Sequence, residues 1–439
     1  MQTLIYDVGI TGTGSELQGV GRLPDGRAVF VPGAIPGEQV RIRVDADKGR
    51  FCEASLVEIL EASPDRVDPD CPYTHACGGC QARHMRYARS LQLKRQKVYD
   101  ALTRIGGFVA PVVLDTLGCP EPNRTRNKAE YPIGFENNRA VIGVHGRDGR
   151  HIVPLEDCLL QSRQSVQALN WIAGALNRLP CARHLRYLVT RTNQREEMML
   201  VLCGDIPLPA ELKALSPAPE GTVSLWYCQL NRRPTHALDG KCVQLWGAPT
   251  LHERLFDLDF EISPQSFFQV NRHQTEVLYQ KALDAAGIRP GCDLCVLDAY
   301  CGAGTISLPA ARWAKQVTGI EIVAPAIDNA RRNAESNGIQ NGRFICGDVA
   351  RELPRLLARG NRFDAVILDP PRKGADNNTL LAIAQAQIPT VSYVSCNPAT
   401  LARDLKILSA HGYQLQWAQP VDMFPWTGHV ETVVLMSRK

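Results

Sequence analysis

Five short apolar runs between residues 294 and 396 constrain this chain more than any other feature. They occupy residues 294–300, 316–320, 343–346, 363–368 and 390–394, with helix-length stretches between them. Strands alternating with helices predict a mostly parallel, doubly wound α/β sheet beginning near residue 262. In such a sheet, ligands and chemistry gather at the carboxyl ends of the strands. The residues at those ends are therefore the first candidates for function.

The first run leads into Cys301-Gly302-Ala303-Gly304-Thr305, whose glycines permit close approach of backbone to a ligand. It is not the G-x-G-x-x-G fingerprint of a dinucleotide site, and the chain has no G-x-x-x-x-G-K-[ST] loop for ATP or GTP. The second run ends in Glu321, about twenty residues past the glycines, where a carboxylate suits the two hydroxyls of a ribose. The third ends in Gly347-Asp348, suited to an adenine amino group, and the fourth in Asp369-Pro370-Pro371-Arg372. Three acids at successive strand ends after a glycine loop favour S-adenosylmethionine over other nucleotides. The fifth run stops at Ser395-Cys396-Asn397-Pro398, where a turn is expected. A free thiol is ordinarily core, but beside these acids Cys396 is a candidate nucleophile. A last strand is expected at 430–436. Its Glu431, among apolar neighbours, suits a general acid or base of raised pKa, or equally a paired structural carboxylate.

The preceding half is of another kind. A chain of 439 residues exceeds one ordinary core, so two or three domains are expected. Residues 1–60 alternate short strands with glycine turns, including a flexible loop at Thr11-Gly12-Thr13-Gly14-Ser15, and predict a small β-barrel. Such barrels often bind single-stranded nucleic acid through a basic face, and a small β module with some other partner fits this stretch equally well. Next, Asp70-Cys71-Pro72-Tyr73-Thr74-His75-Ala76-Cys77-Gly78-Gly79-Cys80 sets three thiols at C-x5-C-x2-C, with Cys158 as a distant fourth. Four thiolates suit a tetrahedral zinc or a [4Fe–4S] cluster. A local triplet with one distant thiol favours the cluster, since structural zinc ordinarily uses paired C-x2-C knuckles. The C-x3-C-x2-C of radical enzymes is absent. The chain holds 15 cysteines, begins without a basic, apolar leader, and has no apolar run near the ~20 residues of a membrane span. A cytosolic protein with reduced thiols is expected, its cysteine clusters serving metal or catalysis.

A net charge of +4 neither demands nor excludes nucleic acid, so local charge decides. Arg83, Arg86, Arg89, Lys94, Arg95, Lys97 and Arg104 face one acid, Asp100, along a helix expected at 85–106 with a positive outer side. Asn123-Arg124-Thr125-Arg126-Asn127-Lys128 then leads into a hairpin, 129–135 and 139–145, turning at Glu136-Asn137-Asn138. Together these predict a phosphate-binding surface. A helix at 161–180 and strands at 186–192, 198–203 and 223–229 complete the region.

Residues 71–80 with Cys158, 263–271, 297–305, 369–375, 395–398 and 429–433 resemble the RNA uracil-5 methyltransferases, which make 5-methyluridine in ribosomal or transfer RNA. The resemblance implies a multidomain α/β protein. Residues 1–60 would be a TRAM barrel, OB-like and RNA-binding. Residues 61–260 would be a central α+β iron–sulfur domain whose helix 85–106 can pack on the third domain. Residues 261–439 would be a class I, Rossmann-like methyltransferase domain. By the same resemblance, Cys71, Cys77, Cys80 and Cys158 would hold a [4Fe–4S] cluster. Gln269, Tyr300, Glu321, Asp348 and Asp369 would bind S-adenosylmethionine, with Cys396 the nucleophile and Glu431 the base. The expected partner is RNA, most of all 23S ribosomal RNA, met as a single strand or loop with a flipped uridine in the cytoplasm.

The chemistry asks for the same residues. Uracil C5 is a poor nucleophile until a thiolate adds to C6, and a base must later remove the C5 proton. The alternatives are a transfer RNA substrate, cytosine-5 chemistry, or a non-catalytic RNA-binding iron–sulfur protein. Cytosine-5 enzymes resemble a pattern with Cys beside the proline that Asp369-Pro370-Pro371 lacks. Adenine-N6 and guanine-N2 enzymes want an aromatic where Arg372 stands. Cys301 is expected only to line the glycine loop.

Overall fold

A computed structural model describes residues 4–137, 139–215 and 218–438; Asn138 of the expected hairpin turn lies outside them. Near the amino terminus, alternating burial closes β1 (Ile5–Thr13), β2 (Gly19–Arg22), β3 (Ala28–Val31), β4 (Gln39–Asp47) and β5 (Phe51–Glu61) into a barrel ordered β1-β2-β3-β5-β4. Val8, Ile10, Val29, Val31, Val40 and Ile42 fill it. Thr11, Gly12 and Thr13 are strand rather than loop. A bulge between Ile10 and Gly12 shifts the register and lets β1 continue its pairing with β2.

After α1 (Tyr87–Arg104) comes a central sheet. Its elements are β6 (Lys128–Glu136), β7 (Arg139–His145), β8 (Ile152–Pro154), α2 (Arg163–Leu176), β9 (Leu185–Thr192), β10 (Met198–Gly204), β11 (Thr222–Leu230) and β12 (Gly240–Gly247). The order is β12-β11-β10-β9-β6-β7-β8. β9 and β10 are covered on both faces, and strand alternation divides their side chains between two cores. Leu188, Leu200 and Leu202 pack with Leu169 and Ile172 of α2. Val189, Met199 and Val201 pack into the core of the carboxyl-terminal half with Leu278 and Val296.

A hairpin, β13 (Leu251–Leu255) and β14 (Leu258–Ile262), leads to α3 (Arg272–Ala285). The alternation that follows is β15 (Cys295–Asp298), α4 (Ser307–Ala311), β16 (Gln316–Glu321), α5 (Ala324–Ser336), β17 (Gly342–Cys346), α6 (Val349–Ala358), β18 (Ala365–Leu368), α7 (Asn377–Gln385), β19 (Thr390–Ser395) and α8 (Pro398–Ala410). β20 (Tyr413–Val421) and β21 (Glu431–Arg438) end it. The sheet order is β17-β16-β15-β18-β19-β21-β20, with β21 antiparallel to both neighbours. Asn397 and Pro398 do not make a free turn. Asn397 caps α8, its side chain accepting from the Ala399 amide, and Pro398 takes the first helical position. No helix among the described residues is long and apolar enough to cross a membrane.

The basic stretch is not the outward surface its charge pattern predicts. α1 packs on α8 and β20, with Val98 and Leu102 in the core of this sheet. Lys94 is fully buried, paired with Asp422 and donating to the Phe424 carbonyl at 3.0 Å. Lys97 donates to the Ser15 and Gly428 carbonyls. The buried Arg83 pairs with Asp70, and Arg124 with Asp157. Asn127 is tied to the strap before α3, its amide donating to the Val270 carbonyl. Arg86, Arg95 and Arg104 stay exposed. Much of this charge fastens one element to another, because a buried cation requires partners that the charge pattern does not reveal.

Candidate active site

The strand ends of the carboxyl-terminal sheet converge at one edge. β15 ends at Asp298, β16 at Glu321, and β18 runs straight into Asp369. β17 is followed by Asp348 and β19 by Cys396. Gly302 and Gly304 have φ of +52° and +87°. A Cβ on Gly302 would meet nothing within 4 Å, so its backbone faces open space. Glu321 accepts from the Val323 amide at 2.9 Å, and Asp348 caps α6 by accepting from the Ala350 amide at 2.9 Å. Tyr300 is half-buried, its hydroxyl pushed up to about 12 by burial first. Gln269, within the strap 263–271, is buried.

Cys396 is half-buried just before the amino terminus of α8. Burial raises its thiol to about 11, Glu431 and Asp369 push the same way, and Arg372 opposes them. The resting thiol therefore favours its protonated form at neutral pH, because burial first and the two carboxyls second disfavour the thiolate. Glu431 opens β21 at 3 % exposure. Burial, then the Asp369 charge, raises it to about 8. Asp369 is raised to about 7 by burial, then by Asp298. The positive end of α8 and Arg372 are what favour a thiolate here.

Neighbouring contacts fix this geometry. Arg372 presents its carbonyl to Asn397 and Thr400 at the start of α8. The Ala375 amide donates to Asp404 at 2.9 Å, and Tyr393 donates to the same carboxylate. At Gly374, φ is +83° and a Cβ would lie 2.5 Å from Asp404 and Arg403, so only glycine lets this loop approach α8.

Two residues that the sequence did not single out belong to the site. Tyr279 of α3 is buried, with its hydroxyl 3.5 Å from Thr305. It is raised by burial first and by Asp369, and also contacts Gln269. The buried Asp298 accepts from Ser307 at 2.6 Å, while its other oxygen has no partner. The only hint for either was position, a strand end and a helix face. Phe267, in the strap beside Gln269, is 77 % exposed. Cys301 is buried, and a Cβ on Gly319 would touch its sulfur at 2.8 Å.

The other cysteine group lies apart from this edge. Cys71, Cys77, Cys80 and Cys158 are all half-buried. Burial raises the Cys77 thiol, the Gly79 amide relieves it, and Cys158 and Cys71 push it up again. Cys80 is raised by burial first, opposed by Arg83, and felt by Cys158 and Cys77. Cys77 is thus within electrostatic reach of Cys71, Cys80 and Cys158, and Cys80 of Cys158. Gly78 lies against the Gly146 carbonyl, where a Cβ would come within 3.0 Å. Among the described residues, no three His, Cys, Asp or Glu side chains gather closely enough to hold a metal ion.

Comparison with known proteins gives a consistent picture. Residues 250–439 match the tRNA (uracil-5-)-methyltransferase family, and residues 4–57 match the TRAM domain. An uncharacterized RNA methyltransferase of Halalkalibacterium halodurans is 38% identical, covering 94% of this chain and 93% of its own. Another, from Clostridium tetani, is 39% identical, covering 98% of this chain and 96% of its own. Among solved structures, the Pyrococcus abyssi tRNA (uracil-54, C5)-methyltransferase in complex with S-adenosyl-L-homocysteine superposes with a TM-score of 0.77 at 27% identity. That match covers 98% of this chain and all of the other.

Proposed function

The chain belongs to the RNA uracil-5 methyltransferases, enzymes that use S-adenosylmethionine, and from that premise we propose a covalent mechanism carried by Cys396 and Glu431. The observation behind it is one thiol, two high-pKa carboxyls and Arg372 meeting at the carboxyl edge of a parallel sheet. The target uridine is flipped into this edge, with the exposed Phe267 as a stacking face for an unpaired base.

The Cys396 thiol first gives its proton to solvent; its sulfur then bonds to C6 of the uracil, and the C5=C6 π electrons move toward the C4 carbonyl as an enolate. C5 then attacks the methyl group of the donor, whose sulfur departs as the neutral thioether. Glu431 takes the proton from C5, the double bond reforms, and the C6–S bond breaks to release the thiolate. A carboxylate raised to about 8 is a far stronger base than an exposed one. Gln269, Tyr300, Glu321, Asp348 and Asp369 would hold the donor, Glu321 suiting its ribose hydroxyls and Asp348 its adenine amino group. A donor held beside Asp369 would bring a positive sulfonium, which would lower the Cys396 pKa and favour its thiolate.

Cys71, Cys77, Cys80 and Cys158 hold a [4Fe–4S] cluster in this reading. Cys77 feels the charges of Cys71 and Cys158, Cys80 those of Cys77 and Cys158, and thiolate donors are what such a cluster takes. The cluster would order the segment around residues 71–80. Anaerobic purification should yield about four irons per chain.

The RNA is 23S ribosomal RNA in our reading, modified in the cytoplasm. A transfer RNA target is the second reading, because the structural relative acts on tRNA uracil-54. Mapping 5-methyluridine in both RNAs from a deletion strain decides. Loss at one ribosomal position is expected. Loss in transfer RNA would favour the second reading, and loss in neither would sink both.

A further inference from the structure

Between β20 and β21 runs a strap, residues 422–430, that delivers Glu431 to the site. At its centre Trp426 has φ of +64°, a left-handed backbone that a bulky residue holds only where its surroundings insist. Those surroundings come from the residues directly after Cys80. The Gln81 and Ala82 amides both donate to the Trp426 carbonyl, at 2.8 and 3.0 Å. The Arg83 guanidinium lies 5.0 Å above the indole ring. Its Nη2 donates to Asn123 Oδ1 at 3.0 Å, the same atom that accepts from Trp426 Nε1 at 3.1 Å. Arg83 also pairs with Asp70 and reaches the Cys80 thiol. Tyr87 of α1 packs on the indole at 5.2 Å. The strap is pinned at both ends as well, at Phe424 by Lys94 and at Gly428 by Lys97.

We propose that Trp426, gripped by residues 81–83, is the latch through which the cysteine-bearing segment places Glu431 for proton removal. Arg83 and Trp426 are positioning residues. They act on the base and not on the nucleophile, because Cys396 hangs from β19 and not from the strap. The latch rests on the proposal that Glu431 is the base.

That asymmetry supplies the test. In the full-length enzyme, Trp426→Ala should bind donor and RNA normally and still form the Cys396 adduct. Its kcat should fall by about 100-fold, as misplaced catalytic groups do, and the adduct should accumulate on a denaturing gel. Trp426→Phe keeps a ring beneath Arg83 and should recover most of the rate. A wild-type rate in Trp426→Ala overturns the latch. So does a slow variant whose donor binding and adduct formation fall together, which marks plain unfolding. Glu431→Gln run in parallel separates the claims. No adduct there overturns the base assignment itself. Adduct there, with none in Trp426→Ala, overturns only the latch.

Discussion

Two places a few residues apart bury charge in opposite ways. Asp422 lies just beyond β20, fully buried, and meets Lys94 and the Tyr87 hydroxyl. Glu431 opens β21, equally buried, and its strongest charged neighbour is another carboxyl, Asp369. The first arrangement satisfies its charges and fastens α1 to the sheet. The second leaves its charges uncompensated, and the result is a carboxyl raised to about 8 and a thiol to about 11. A site that must exchange protons gives up folding stability to hold groups near their working pKa. A junction that must stay closed pairs them.

The sharpest way to break this contrast is at the unpaired end. Cys396→Ala should lose turnover by at least about 10^4-fold, the scale of removing a covalent nucleophile, while donor and RNA binding persist in filter assays. Methylation near the wild-type rate would end the covalent mechanism. Glu431→Gln should slow turnover by about 10^2- to 10^4-fold, the usual share of one acid–base group. Its distinguishing mark is an RNA–protein adduct that outlasts denaturation.

At the paired end the effect should appear in stability. Lys94→Met leaves Asp422 buried without its cation and should cost about 3–5 kcal/mol in urea unfolding. Glu431→Gln should do the reverse. The folded value near 8 lies above the ordinary 4.5. As pH rises, the unfolded chain therefore sheds this proton first, and stability drains away between about pH 4.5 and 8. The variant should be more stable than the parent by about 2–4 kcal/mol at pH 8 and match it near pH 4. Equal stability at both pH values would show that Glu431 is compensated after all.

The contrast also marks how far the sequence could be read. The runs at 294–396 announce a parallel sheet because strand ends and helix lengths are local patterns. That rule alone points to the edge where Cys396, Asp369 and Glu431 meet. Position in sequence could not disclose partners. Lys94 reads as one more cation on a basic helix, since Asp422 lies 328 residues away. Tyr279 looks like ordinary helix core because its place under Asp369 is set by the packing of α3 on the sheet. β20 alternates in Tyr413-Gln414-Leu415-Gln416-Trp417 as a half-buried strand does, and not in the continuous apolar run of the parallel strands before it. Thr11, Gly12 and Thr13 read as loop because a bulge lets glycine continue a strand.

The smallest expected effect lies one residue from one of the largest. Arg95 follows Lys94 on α1, carries the same charge and faces water. Its carboxylate partner, Asp115, is fully exposed at 3.5 Å, so screening leaves that pair worth less than about 1 kcal/mol. Its Nε also donates to the Val113 carbonyl at 2.9 Å, a bond that water can replace. Arg95→Ala should therefore change the free energy of unfolding in urea by no more than about 1 kcal/mol, and salt should erase much of that difference. A loss comparable to that of Lys94→Met would mean that charge on this helix matters by its sum and not by its burial. The distinction between paired and unpaired interiors would then fail on the helix that displays it most plainly.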